Sequence, residues 1–510
     1  MKQKFVTFML ALLATTALFS CGGKDNPVNT DTTPTAITLS TSSISDPAAG
    51  GSHEVTITAP VRPQIVIPSE ARGWLSLRDG TFKDYKMTVT FTVAENEGYQ
   101  TRSVQVSISA AGAATVTLPV SQQAREEAVV PTGLPDNTAV ARAMELGLGW
   151  NMGNHMDAIN NGVADETCWG NPKATQATFD GVKAAGFTSV RIPVTWTGHI
   201  GGAPNYKLEA GWLNRVYEIV GYARKAGLQV IVNTHHDEDH GDGRWQNLKQ
   251  AVDDPEANER IKQEIEAVWT QIAEKFKDEG DFLMLESFNE LIYGSEWYAS
   301  SNAQKKCEVI NEWNQVFVDA VRATGGNNAT RWLGVPGYAA SPNFLKYLKV
   351  PADPAGKTML AFHCYDPYDY TIGEKQLPDW GHTGTSYKKG EEEIKNLFSG
   401  IFDNYVAQNI PIYMGEFGCS MRDKNNAKAW AFYLYYLEYV VKAAKTYGIP
   451  AFLWDNGNKG YGQEHHAYID HGTGSYVGNS EAPVQAMVRA WKSNDASYTL
   501  QSVYNNAPAF

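Results

Sequence analysis

A chain of 510 residues is long enough for two or more folding units with at least one large core. The formal net charge of -13, from 56 acidic and 43 basic residues, leaves no basic stripe for a phosphate backbone and excludes nucleic acid as an expected partner. The 14 Trp and 25 Tyr are the compositional feature that asks for a use beyond core filling, since such rings also form stacking platforms in open clefts.

In chain order, Lys2 and Lys4 precede an apolar run over 5–19 that is too short and wrongly flanked to span a membrane, so residues 1–20 read as a targeting signal. It ends in Leu18-Phe19-Ser20-Cys21, which resembles the lipobox of bacterial lipoproteins. That resemblance implies acylation of Cys21, an outer-membrane location facing the cell exterior, and membrane contact only through the lipid. Residues 21–35, "CGGKDNPVNTDTTPT", are polar and turn-rich, as a flexible tether would be. Over 36–124, short alternating runs such as "HEVTITA", "KMTVTFTVA" and "SVQVSIS" are separated by Gly, Pro and Asn turns, which predicts a small all-β, immunoglobulin-like antiparallel sandwich. Its "GWLSL" stretch around Trp74 resembles the BACON module found before glycanases of gut Bacteroidetes. Trp74, Phe82, Tyr85, Phe91 and Tyr99 are needed to fill so small a core, so a spacer role is expected, with sugar binding as the alternative. A linker over 125–140 follows.

From 141 to 510, eight apolar runs alternate with amphipathic stretches: "LGLGW", "FTSVRIP", "LQVIVN", "LMLESFN", "RWLGVP", "MLAFHCY", "IPIYMGE" and "AFLWD". The intervening helix-like segments include 176–186, 212–226, 257–277 and 426–447. This α/β pattern predicts a closed (β/α)8 TIM barrel; a doubly wound open sheet fits the alternation but lacks a glycine-rich phosphate turn after the first strand. Polar residues recur at the carboxyl ends of the runs, where such barrels carry their chemistry: Asn151, Arg191, His235 and His236, Asn289 and Glu290, His363 and Tyr365, Glu416, and Asp455. Singly, each has a bland reading as a barrel filler or a solvated side chain. Glu290 and Glu416, on the fourth and seventh runs, would face each other across the barrel mouth, as a general acid and a nucleophile or base must in glycoside cleavage. The spacing in sequence does not separate a retaining from an inverting pair.

"GWNMGNHMDA", "ETCWGNP", "VIVNTHHDEDH", "ESFNELIYGSEW", "AFHCYDPYDYT", "MGEFG" and "FLWDNG", in this order, resemble glycoside hydrolase family 5, in particular its subfamily 4 of endoglucanases and xyloglucanases. The resemblance implies a retaining endo-β-1,4-glucanase acting on plant β-glucans such as xyloglucan, cellulose-type or mixed-linkage glucan, without cofactor or metal, and as a monomer. It implies Glu290 as acid/base and Glu416 as nucleophile, with Arg191, His235, Asn289, His363 and Tyr365 completing the catalytic centre. Arg191 is expected to lower the pKa of Glu416 while burial raises that of Glu290. Substrate binding is assigned to Asn151, His236, Trp297, Trp380 and Trp454; Trp169 and Trp196 are as readily core as platform. Leu291 stands where Pro commonly follows the Asn-Glu pair, and Cys364 where an aromatic is common; Cys364 is expected to pack against helices.

Two rivals are weighed against this reading. "HHDEDH", residues 235–240, concentrates His235, His236, Asp237, Asp239 and His240 as a metal-dependent hydrolase would. An inactive glycan-binding lipoprotein is the other, and it would have lost at least one of the two carboxylates. Cys168, Cys307, Cys364 and Cys419 show no metal spacing and are expected as buried thiols, with a disulfide as the alternative in an exported protein.

Overall fold

The computed structural model describes residues 33–96, 101–124, 134, 138–298 and 301–510. The targeting signal, Cys21, Tyr99 and most of the tether and linker lie outside these described residues. Two compact units divide between Glu126 and Glu127.

The first unit is a sandwich of two sheets. One contains Thr38–Leu39, Gly51–Thr58, Lys86–Val93 and Leu75–Arg78, with Phe82–Lys83 paired to Lys86–Val93; the other contains Ile44–Asp46, Val116–Gln122, Arg102–Ser109 and Gln64–Val66. Alternation places Val55, Ile57, Val89 and Phe91 of one sheet against Val106, Ile108, Leu118 and Val120 of the other in a single core. One pair departs from the expected antiparallel pattern: Ile44–Asp46 runs parallel to Val116–Gln122. The chain changes sheets between Leu39 and Ile44, so it enters the second sheet without a hairpin to reverse its direction. Trp74 is partly buried against this core with the Arg102 guanidinium 4.7 Å from its ring centroid, and Phe82 is also partly buried against the core.

The second unit is the closed barrel, and all eight expected runs are its strands: β1 (Leu148–Met152), β2 (Ser189–Ile192), β3 (Gln229–Asn233), β4 (Leu283–Glu286), β5 (Leu333–Pro336), β6 (Thr358–Cys364), β7 (Ile412–Phe417) and β8 (Ala451–Asp455). Every adjacent pair is parallel, including β8 to β1, so no edge remains. The helix Pro255–Phe276 shows why the intervening segments fold as they do. Asp254 caps its amino end, Pro255 occupies the first turn, and Ala257, Ile261, Ile265, Val268, Ile272 and Phe276 form one buried stripe. The alternation fails once. After β5 the chain makes only the short 3-10 segments Tyr338–Ala340 and Pro342–Tyr347, and Ala339 and Ala340 hold φ of 52° and 44°. This irregular loop is tied down by the Ala339 N–H, which donates to Leu291 O at 2.9 Å.

A helix over Thr138–Leu146 begins inside the stretch expected as linker. It sets Ala143 and Leu146 against Ile231, Met284, Ala361, Tyr413 and Phe452, which form an apolar cluster with strand residues. Of the cysteines, Cys307, Cys364 and Cys419 are buried free thiols, Cys364 within the main core, whereas free Cys168 is half-buried. No helix among the described residues is long and apolar enough to cross a membrane.

Candidate active site

Arg191, in the middle of β2, is fully buried and cannot stay charged there without partners. It has four. Its Nε and Nη2 donate to Glu286 at 3.0 and 2.7 Å, Nη1 donates to Glu416 Oε1 at 2.8 Å and to Asn151 Oδ1 at 3.0 Å, and Nη2 also reaches Asn289 Oδ1 at 3.0 Å. Burial alone disfavours its charge, but Glu286 and then Glu416 outweigh that cost and hold it protonated. Glu286, which the sequence reading did not single out, is itself buried and accepts from Tyr413 Oη at 2.5 Å and Asn233 Nδ2 at 3.0 Å. A carboxylate inside the apolar run of β4, two strands from an inward-facing arginine, was the available sign of it.

Glu416 reaches this network through a local irregularity. Phe362 pairs with Met414 but His363 pairs with Glu416, so Gly415 is an extra residue in β7, and the same excess recurs against β8. Asn151 Nδ2 donates to the Gly415 carbonyl at 2.9 Å, and a Cβ at Gly415 would approach His363 Nε2 to 3.1 Å. Asn151 is fully buried, so its expected role in substrate binding is corrected: it braces the bulge that aims Glu416. The other oxygen of Glu416 accepts from Tyr365 Oη at 2.8 Å.

Glu290 lies four residues beyond the end of β4, its side chain 20 % exposed, with Oε1 2.6 Å from His363 Nδ1. One carboxyl oxygen of Glu290 and one of Glu416 lie within 4.8 Å of each other and of His363. Burial, and next the negative charge of Glu238, push Glu290 up to about 7. Burial brings His363 down to about 4, so the pair shares its proton as a carboxylic acid beside a neutral imidazole. The expected downward shift of Glu416 is corrected: burial raises its pKa despite the opposing pull of His363, Arg191 and Tyr365. The Arg191 charge that opposes this shift is shared, with more of its contacts on Glu286 than on Glu416.

His235 has a forced tautomer. Asn233 Oδ1 accepts from the Val194 N–H at 3.2 Å, so Nδ2 is the atom that donates to Glu286 and, at 3.3 Å, to His235 Nδ1. The imidazole is buried and held neutral, so in this arrangement Nε2 carries its hydrogen and is a donor. The carboxylates that follow are engaged by backbone amides. Asp237 accepts from the Trp196 and Thr197 N–H groups, and Asp239 from those of Gly241, Asp242 and Gly243.

These groups form the floor of a cleft of about 820 Å³, whose lining includes His235, Asn289, Glu290, His363, Tyr365, Glu416 and Trp454. Trp454 stacks on His235 with ring centroids 5.7 Å apart. Trp169, Trp297 and Tyr298 line the same cleft and are 43 %, 49 % and 75 % exposed, and His236 joins them. Trp196 is core, its indole donating to Asn233 O. Trp380, expected as a platform, is corrected: it is fully buried among Tyr370, Tyr435, Tyr436 and Tyr439, and a Cβ on Gly390 would overlap its indole. Asn154, Asn456, Asn458 and Glu464 also line the cleft and were not foreseen, because they sit on loops whose approach only the closed barrel dictates.

Residues 152–460 match the family model "Cellulase (glycosyl hydrolase family 5)", and 65–123 match BACON, described as a putative binding domain. The chain belongs to glycosyl hydrolase family 5. A xyloglucan-specific endo-β-1,4-glucanase of Bacteroides ovatus is 32 % identical over 91 % of this chain and 95 % of its own. Endoglucanase A of Ruminococcus albus is 37 % identical over 66 % of this chain and 89 % of its own. Among solved structures, a Bacteroidetes-affiliated cellulase linked with a polysaccharide utilization locus is 45 % identical over 73 % of this chain and 98 % of its own, with a TM-score of 0.71. A broad-specificity endoglucanase from Bacteroides salanitronis is also 45 % identical, covering 72 % of this chain and 99 % of its own at a TM-score of 0.67. The chain is therefore a glycoside hydrolase, which removes both rival readings.

For this family 5 enzyme, the protonated form of Glu290 is the one able to donate, so kcat/KM should fall as pH rises through about 7; a pH profile with an alkaline limb near that value checks it. Trp380→Ala should cost about 3–5 kcal/mol of stability, read from denaturant unfolding, without raising KM, because the ring contacts core and not cleft.

Proposed function

We propose that this chain is an endo-acting, retaining β-1,4-glucanase of plant β-glucans, with Glu290 as acid/base and Glu416 as nucleophile. The observation that carries this reading is the approach of their carboxyl oxygens to within 4.8 Å on the floor of an open cleft. Retaining pairs stand about 5–5.5 Å apart, whereas inverting pairs leave about 6.5–9.5 Å for a water.

In the first step Glu416 attacks the anomeric carbon while Glu290 gives its proton to the departing glycosidic oxygen. Arg191 and Tyr365 each hold one oxygen of Glu416, which fixes the direction of attack. In the second step Glu290, now a carboxylate beside neutral His363, takes a proton from the water that releases the sugar. Asn289 accepts from Arg191 through Oδ1, so its Nδ2 is left to donate to the sugar 2-hydroxyl, where contacts strengthen in the transition state. Trp454, stacked on His235, is the platform beside the cleaved bond, and Trp297 extends it along the cleft. Xyloglucan is the first substrate to test, because the relative that matches both units of this chain bears that specificity in its name.

Glu416→Gln should reduce kcat on β-glucan by at least about 10³-fold with the fold intact, a loss of roughly 4 kcal/mol of transition-state stabilisation. Product analysis on xyloglucan, mixed-linkage glucan, cellulose, mannan and xylan should give mid-chain cuts and β-configured reducing ends by NMR; α-configured products, or mannan as the preferred substrate, would refute the reading.

The lipobox-like stretch ending in Cys21 supports a second part of the proposal, an outer-membrane lipoprotein whose tether and sandwich carry the barrel outward. Labelled palmitate should be incorporated by the parent chain and not by Cys21→Ser; equal labelling, or none in either, would contradict it.

A further inference from the structure

The stretch 235–240 carries acidic residues that the proposed double displacement does not use as acid or nucleophile. Asp237 and Asp239 are spent on neighbouring donors: the Trp196 and Thr197 N–H groups and the Thr197 hydroxyl reach the first, and the amides of 241–243 and the Asn247 side chain reach the second. Glu238, between them, is 3 % exposed, and the two flanking histidines act on its carboxylate more strongly than its own backbone N–H does. Its Oε1 lies 3.5 Å from His236 Nδ1 and 3.3 Å from His240 Nε2, the histidines two residues before and two after it. Its Oε2 is buried and meets no hydrogen-bond donor among the described residues. A carboxylate so placed depends on those two rings for compensation.

Each ring in turn touches one exposed tryptophan of the cleft. His236 lies 5.6 Å from Trp169 between ring centroids, and His240 lies 6.1 Å from Trp297. Trp169 belongs to the loop after β1 and Trp297 to the loop after β4, so one buried carboxylate on the loop after β3 links two otherwise separate platforms. We propose that Glu238 is a positioning residue that, by gripping His236 and His240, holds Trp169 and Trp297 in register for a glucan chain. The proposal rests on the glucanase reading above.

The charges around the clip are consistent with it. His236 faces Glu238 on one side and Asp157 Oδ2, at 3.6 Å, on the other, with Arg244 and neutral His235 nearby. Burial disfavours its charge, but the two carboxylates raise it to about 9, so the grip is an ion pair across the pH range in which Glu290 can act as an acid.

The test is steady-state kinetics on cellohexaose and xyloglucan for Glu238→Gln, alone and in a Trp169→Ala/Trp297→Ala background, with thermal unfolding to confirm the fold. Parental cleavage of the glucan is established first, so failure of the glucanase reading is seen separately. Because the Glu238 charge also helps to raise Glu290, rates are compared on the acid side of the pH profile, where Glu290 is protonated in both forms; there we expect Glu238→Gln to raise KM about tenfold, equal to about 1.4 kcal/mol, with kcat within about twofold, and to add nothing once both tryptophans are gone. His240→Gln, a milder change, should raise KM in the parent and not in Trp297→Ala. An unchanged KM, a loss confined to kcat, or the same KM increase in the tryptophan-free background would each overturn the proposal. If Glu238→Gln does not fold, the His240→Gln pair decides it on the same terms.

Discussion

A single guanidinium with no access to water holds the centre of this barrel together. Arg191 reaches residues of β1, β4 and β7, and Asn289 just beyond β4, so its five donors define the relative positions of Asn151, Glu286, Asn289 and Glu416. The planar fork makes this possible, since a lysine at the same point would offer one charge and no geometry. The constraint also runs the other way. Because Arg191 cannot be solvated, each carboxylate it touches is obliged to stay near it, and the position of Glu416 is a consequence of burying a cation as much as of the bulge at Gly415.

Division of that charge sets the electrostatics of the site. Burial raises the pKa of Glu416, and the Arg191 charge that opposes it is shared with a second carboxylate. Glu286 takes the larger share through Nε and Nη2, and Tyr413 and Asn233 complete its coordination. Glu290 is kept out of this arrangement, with neutral His363 as its contact and Glu238 as an unfavourable charge nearby. Two glutamates in one cleft thereby meet different surroundings, with Arg191 and Tyr365 on Glu416, and with His363 2.6 Å from Glu290 and 3.7 Å from Glu416.

The strands and the two carboxylates were legible in the sequence because their signals are local. Buried parallel strands read as short apolar runs, and a polar residue at the end of such a run marks the barrel mouth. The misreadings all concern partners far away along the chain. Trp380 looks the same on a loop whether it faces a cleft or a core, and what buries it is a set of tyrosines on the helix Ala427–Thr446 together with the small size of Gly390. Asn151 sits at a strand end, as a ligand-binding residue would, but its amide is consumed by a carbonyl that the bulge in β7 sets free, and no local pattern announces that bulge. Glu286 was hidden for the opposite reason: surrounded by apolar residues, it reads as an exception until the arginine that requires it is known to be two strands away.

The division between floor and rim follows from the same packing. Floor groups are buried and their polar atoms are used by one another, so a change at any of them is felt by the whole network. Rim groups such as Trp297 and Tyr298 are exposed on loops, where a change of shape costs little stability. Chemistry and glucan preference can therefore vary separately in this fold, provided that something joins the rim to the floor. The loop after β3 is suited to that, because it leaves the barrel at His235, which stacks under Trp454, and within a few residues reaches His236 and His240 beside two further tryptophans. Of its acidic residues, Asp237 and Asp239 hold the neighbouring backbone amides, and Glu238 faces the two histidine rings.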